Sequence, residues 1–164
     1  MTSWETDKSR YGNRAWLLQP SYWAVGVYRF GRWTLDAPSA LRRPSHALYF
    51  AAYSVVRLIT GIDIPRTVEI GPGLLIHHFG GITIHPQAKI GSYCEMRQGT
   101  TIGLRDESAG PPQIGDHVFI GAYAQILGDI SIANHAKIGA LALVLKDVPA
   151  GKTAVGVPAR VLDN

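Results

Sequence analysis

Large aliphatic residues recur at every sixth position through the second half of the chain: Ile84, Ile90, Met96, Ile102, then Ile114, Ile120, Ile126, Ile132, Ile138 and Val144, with only Ser108 out of step. A second register, Ile64, Ile70, Ile76 and Ile82, precedes it. Four residues after most ladder positions stands a small or β-branched residue (Val68, Ala88, Cys94, Thr100, Val118, Ala124, Ala136, Ala142), and glycine often follows the ladder residue directly, as at Ile90-Gly91 and Ile120-Gly121. An α-helix cannot use this pattern, because six residues turn it through about 600° and scatter the apolar positions around its axis. A short strand closed by a tight turn can, with the aliphatic inside a triangular prism and the small residue and glycine making the corner. Three such faces make a coil of about 18 residues, so residues 64–148 predict between four and five coils of a parallel β-solenoid, each burying its face on the next.

Two irregularities interrupt the ladder. Ser108 falls within LRDESAGPP, residues 104–112, where a loop is expected to bulge out while the register is kept. The step from Ile82 to Ile84 shifts the register by two residues, beside the pair His77-His78. Ahead of the solenoid, WLLQPSYWAVGVYRFGRW and SHALYFAAYSVVRLITG read as two α-helices, with Ser45 as N-cap and Gly61 as C-terminal stop. The expected organisation is a helical segment over 1–62 and a β-prism with a short tail over 63–164.

Charge and aromatic residues follow the same division. Residues 1–60 hold eight Lys/Arg against three Asp/Glu, the rest eight against nine, and all four tryptophans lie in the first 33 residues. Arg29 and Arg32 among tryptophans suit an interfacial helix on an anionic membrane; the competing reading packs these aromatics across the end of the prism. No apolar run reaches the roughly 20 residues needed to span a bilayer. One cysteine excludes an internal disulfide, and the polar start lacks a secretory layout, so a cytoplasmic location is expected, with contact at the inner face of the membrane as an extension of the interfacial-helix reading.

The histidines carry the candidate chemistry. Imidazole titrates near neutrality, so His78 can take a proton from a hydroxyl if a partner orients it, and Asp63 is a candidate partner. His117 and His135 stand eighteen residues apart and should stack in successive coils, but a third zinc ligand is not evident and no metal is expected. Cys94 occupies a small inward position and reads as packing. No phosphate-binding loop or dinucleotide fingerprint occurs, and no nucleic-acid partner is expected.

IGPGLLIHHFGGITIHPQAKIG, followed by RQGTTIG, QIGDHVFIGAYAQILGDISIANHAKIGA, VLKDVPAG and VGVPARV, resembles the hexapeptide-repeat acyltransferases, in their serine acetyltransferase branch, with the nearest likeness to the short acetyltransferases of colanic acid and exopolysaccharide biosynthesis. The resemblance implies a left-handed parallel β-helix, a homotrimer, and acetyl-CoA as co-substrate in the cleft between prisms. It implies that His78 is the catalytic base and Asp63 its orienting carboxylate, that the backbones of Gly103, Ala122 and Ala140 line the CoA groove, and that His77 contacts the acceptor.

Departures from that branch bear on the acceptor. Serine acetyltransferases read Asp-His where this chain has His77-His78, and Asp-Arg-His-Pro where it has Ala109-Gly110-Pro111-Pro112. The partners expected for serine's ammonium and carboxylate are thus absent from their usual positions. The resulting expectation is O-acetylation of a sugar hydroxyl of a surface polysaccharide or its lipid-linked precursor, with serine O-acetylation as the alternative. A non-catalytic hexapeptide scaffold and a zinc hydratase are the readings from other classes.

Overall fold

The computed structural model describes residues 2–12, 15–108 and 110–162. Four helices come first: α1 (Ser3–Tyr11), α2 (Ala15–Leu18), α3 (Pro20–Leu35) and α4 (Ser39–Thr60). The first coil then runs through β1 (Ile62–Asp63), β2 (Glu69–Ile70) and β3 (Leu75–Ile76). The second holds β4 (Ile82–Ile84), β5 (Lys89–Ile90) and β6 (Glu95–Met96). The third holds β7 (Thr101–Gly103), β8 (Gln113–Ile114) and β9 (Phe119–Ile120). The fourth holds β10 (Gln125–Leu127), β11 (Ser131–Ile132) and β12 (Lys137–Ile138). β13 (Leu143–Val144) begins the fifth, which closes on the hairpin β14 (Thr153–Gly156) and β15 (Ala159–Val161).

These strands stack into three parallel sheets, ordered β1-β4-β7-β10-β13, β2-β5-β8-β11 and β3-β6-β9-β12-β14, with β15 antiparallel on the edge of the third. The architecture is a left-handed parallel β-helix of about five turns, the hand of hexapeptide repeats and the opposite of the usual crossover rule. Its interior is the predicted ladder: Ile84, Ile102, Ile126 and Val144 align on one face, Ile70, Ile90, Ile114 and Ile132 on the second, Ile76, Met96, Ile120 and Ile138 on the third, all buried. Each such side chain contributes about 1.5–3 kcal/mol by leaving water. The coils stack so closely at the corners that a Cβ on Gly121 would lie 2.5 Å from the Ala140 nitrogen.

The two irregularities have distinct forms. Ile76 pairs with Met96, twenty residues on, whereas Ile84 pairs with Ile102, eighteen on, so the first coil carries two extra residues, in the segment 77–81. The 104–112 segment leaves the prism between β7 and β8, and Ser108 is exposed while Ile102 and Ile114 keep their places inside.

The helical segment differs from the sequence expectation. The polar start forms α1, whose N-terminus is a capping box: Thr2 Oγ1 accepts from the Glu5 amide and Glu5 Oε2 accepts from the Thr2 amide. Pro20 opens α3 and divides the tryptophan-rich stretch into two helices. Ser45 is not an N-cap. α4 begins six residues earlier, Pro44 lies inside it, and Ser45 Oγ donates to the Arg42 carbonyl. Gly61 does end α4, at φ 64°.

Arg29 and Arg32 face the prism, not a lipid surface. Arg29 pairs with Asp7 and donates to the carbonyls of Ile70 and Gly71, and Arg32 donates to the Arg66 carbonyl. Tyr22, Val25 and Tyr28 of the same helix are buried. These contacts support the packing reading, with α3 set against the first coil, and not the membrane contact. Among the described residues no helix is long and apolar enough to cross a membrane.

Candidate active site

The corner leading from the third sheet to the first is built differently in the first coil than below it. In the lower coils it is four residues, as in Gly121-Ala122-Tyr123-Ala124 and Gly139-Ala140-Leu141-Ala142. In the first coil the two extra residues widen it to six, His77-His78-Phe79-Gly80-Gly81-Ile82, with two glycines at φ 115° and 65°. The His77 amide donates to the Met96 carbonyl at 3.1 Å and the Gly99 amide to the Gly80 carbonyl at 2.8 Å, so both ends of the loop are tied to the next coil. Between these ties His78 and Phe79 stand exposed.

Ala122 and Ala140 continue the same corner downward, their coils joined by the Leu141 amide donating to the Ala122 carbonyl at 2.8 Å. Gly103 ends β7 on the adjoining sheet, paired with Leu127. The fold thus aligns His78, Ala122 and Ala140 along one edge of the prism and sets Gly103 on the next face. In the second coil Gln98 holds the equivalent position, and the exposed Tyr123 and Leu141 flank the two alanines.

Asp63 sits on β1, in register with Thr83. Its carboxylate accepts from Tyr53 Oη and pairs with Arg57 Nη2 at 3.1 Å. Both partners come from α4, and burial together with the adjacent Asp63 pushes the Tyr53 hydroxyl well above the ordinary phenol range. Among the described residues no hydrogen bond joins Asp63 to His78.

His77 is not a free side chain. Its Nε2 lies 2.9 Å from Glu95 Oε2, and the other oxygen of Glu95 accepts from Arg10 of α1. Burial alone would raise the Glu95 carboxyl, but the hydrogen bonds from His77 and Arg10 outweigh it and hold the group below its ordinary value. The sign follows: this cluster is held together above the usual carboxylate range and is lost as pH falls through the lowered value. Neither Glu95 nor Arg10 is singled out by local sequence. Glu95 stacks on Leu75, twenty residues earlier, and meets His77 only diagonally, so the eighteen-residue period of the lower coils does not point to the pair.

The corner between the second and third sheets carries a separate feature. Tyr93, His117 and His135 occupy equivalent positions at φ 57°, 56° and 62°, and their rings stack at 5.1 and 4.9 Å between centroids. Among the described residues no group of three metal-type side chains is assembled, and the two histidines use their faces on each other.

Cys94 is fully buried in the core, and burial pushes its thiol up to about 11. A thiolate is therefore scarce at neutral pH, so iodoacetamide should leave the native protein unlabelled over hours and label it only after denaturation, as read by intact mass. Rapid native labelling would contradict this placement.

With the geometry described, comparison with known proteins fixes the lineage. Residues 111–146 match the family "Bacterial transferase hexapeptide (six repeats)". The chain is 35% identical over 148 residues to the serine acetyltransferase of Helicobacter pylori strain J99, covering 89% of this chain and 83% of that one. It superposes on soybean serine acetyltransferase complexed with serine with TM-score 0.79 at 35% identity, over 91% of this chain and 60% of that one. For the Brucella abortus serine acetyltransferase in complex with coenzyme A the values are 0.80, 30%, 91% and 58%. The chain spans 60–62% of the length of other curated relatives that it matches.

These likenesses overturn the exopolysaccharide reading, together with its sugar acceptor. Charges missing from their usual sequence positions had favoured a sugar, but charged side chains do lie close by in the fold: Glu95 against His77, itself paired with Arg10, and Arg57 paired with Asp63. With more than four fifths of the Helicobacter pylori protein covered at this identity, the chain belongs to the serine acetyltransferase family of hexapeptide-repeat transferases.

Proposed function

We propose that the protein transfers the acetyl group of acetyl-CoA to the hydroxyl of serine. The observation that carries this reading is the match over 148 residues, 89% of this chain, to a serine acetyltransferase, a span that takes in the histidine corner and the edge below it. In this reading the co-substrate lies along that edge, against the backbones of Gly103, Ala122 and Ala140, in the cleft formed with a neighbouring prism of a homotrimer.

His78 acts as general base. It takes the serine hydroxyl proton as the oxygen attacks the thioester carbonyl carbon; the C–O bond forms, the C–S bond breaks, and the proton passes from the imidazolium to the departing CoA sulfur. Exposed and without a hydrogen-bonding partner among the described residues, the ring can reach a substrate. Holding both substrates at one edge supplies proximity. Asp63, held by Tyr53 and Arg57, serves as a fixed carboxylate on the adjoining sheet.

The test is release of CoA thiol from acetyl-CoA on adding L-serine to the purified chain, followed with a thiol reagent. Turnover should saturate in both substrates; a rate that does not depend on serine would sink the proposal.

A further inference from the structure

We infer that Glu95 is a positioning residue that sets the tautomer of His77 and thereby makes this ring the acceptor's ammonium contact. The inference rests on the serine reading above and goes beyond it in naming how a chain with histidine at this position can hold an amino acid. A carboxylate can only accept hydrogen bonds, and a guanidinium can only donate them. Arg10 takes one oxygen of Glu95; the other, at 2.9 Å from His77 Nε2, requires the proton of a neutral ring to sit on Nε2. Nδ1, which has no partner among the described residues, is then the ring's acceptor. An acceptor nitrogen backed by a carboxylate is what a substrate ammonium needs, so the Glu95–His77 pair replaces an aspartate at this position.

Arg10 makes the arrangement directional. It also donates to the Gly73 carbonyl, so α1 fixes the guanidinium against the corner of the first coil and the guanidinium fixes Glu95. Glu95→Gln tests this sharply. The glutamine amide has one accepting and one donating end, and Arg10 will hold the oxygen, turning the NH2 toward His77. Nε2 must then accept, the proton moves to Nδ1, and the site meets an ammonium with a second donor.

Two measurements on the full chain read the claim. The ring nitrogen shifts of 15N-histidine, at a pH where the imidazole is neutral, should show the Nε2–H tautomer for His77 in the wild type and the Nδ1–H tautomer in Glu95→Gln. Kinetically, Glu95→Gln should raise KM for serine about ten-fold, the loss of one hydrogen bond to a charged group, with KM for acetyl-CoA and kcat changed less than about two-fold. A wild-type ring found as Nδ1–H, or a variant whose tautomer does not change, overturns the positioning role. A changed tautomer with an unmoved serine KM overturns the role in acceptor binding. The wild-type tautomer requires no variant and no acceptor, so it stands as a test even if Glu95→Gln fails to fold or serine proves not to be the substrate.

Discussion

His78→Ala is expected to lower kcat/KM for acetyl transfer to serine by about 10²- to 10⁴-fold, the range that a positioned general base contributes. The effect should fall on kcat, since the ring acts on a proton that moves only as the oxygen attacks, and KM for acetyl-CoA should stay within about two-fold of the wild-type value. Folding offers no competing explanation. His78 is exposed at the outer turn of the corner loop, and the hydrogen bonds that tie this loop down run from the His77 amide and to the Gly80 carbonyl. Stability should therefore move by no more than about 0.5 kcal/mol. Steady-state kinetics with a thermal melt on the same sample checks both halves, and activity within three-fold of wild type would remove His78 from the mechanism.

Asp7→Ala should produce the largest loss of stability, about 3–5 kcal/mol, because it leaves a buried charge without its counterion. Asp7 has no exposed surface. Its carboxylate meets Arg29 at 2.6 Å and accepts from the Gly73 and Leu74 amides at 2.7 and 2.9 Å. Alanine would strand the Arg29 guanidinium, only 10% exposed, and leave two buried amides unsatisfied. These groups join α1 and α3 to the first turn of the β-helix, so the loss should also loosen the helices that hold Arg10 against Glu95. The urea midpoint measures the change, with the m value reporting whether the helical segment has detached. A loss below about 1 kcal/mol would show that the pair does not fasten the helices to the prism.

How much of this is legible in sequence depends on the range of the cause. The hexad ladder is a local rule repeated along the chain, and the fold places Ile84 over Ile102 and Ile120 over Ile138 as the period predicts. The stacking of His117 on His135 follows from the same rule. Helix ends were less legible: the Thr2-to-Glu5 capping box was present in the sequence, whereas the start of α4 had to be judged against Pro44, which the helix tolerates near its N-terminal end.

The site itself was legible only in part. The corner bearing His78, Ala122 and Ala140 follows from the repeat, but the partners of its charged groups do not. Arg10 reaches Glu95 across 85 residues of chain, and Arg29 reaches Asp7 only because α1 and α3 lie side by side on the first coil. Arg29 and Arg32, which the sequence leaves between a lipid surface and packing on the prism, are thus spent on the protein's own backbone and carboxylates. The sugar acceptor was inferred by the same kind of local counting. A histidine in place of aspartate looked like a lost negative charge until the fold put Glu95 behind it.

The most direct test of the account is the identity of the acetylated product when the chain is given acetyl-CoA with L-serine and a panel of neutral sugars in the same reaction. The account predicts O-acetyl-L-serine as the product seen by mass spectrometry, formed in step with CoA release. An acetylated sugar with serine left unmodified would contradict it.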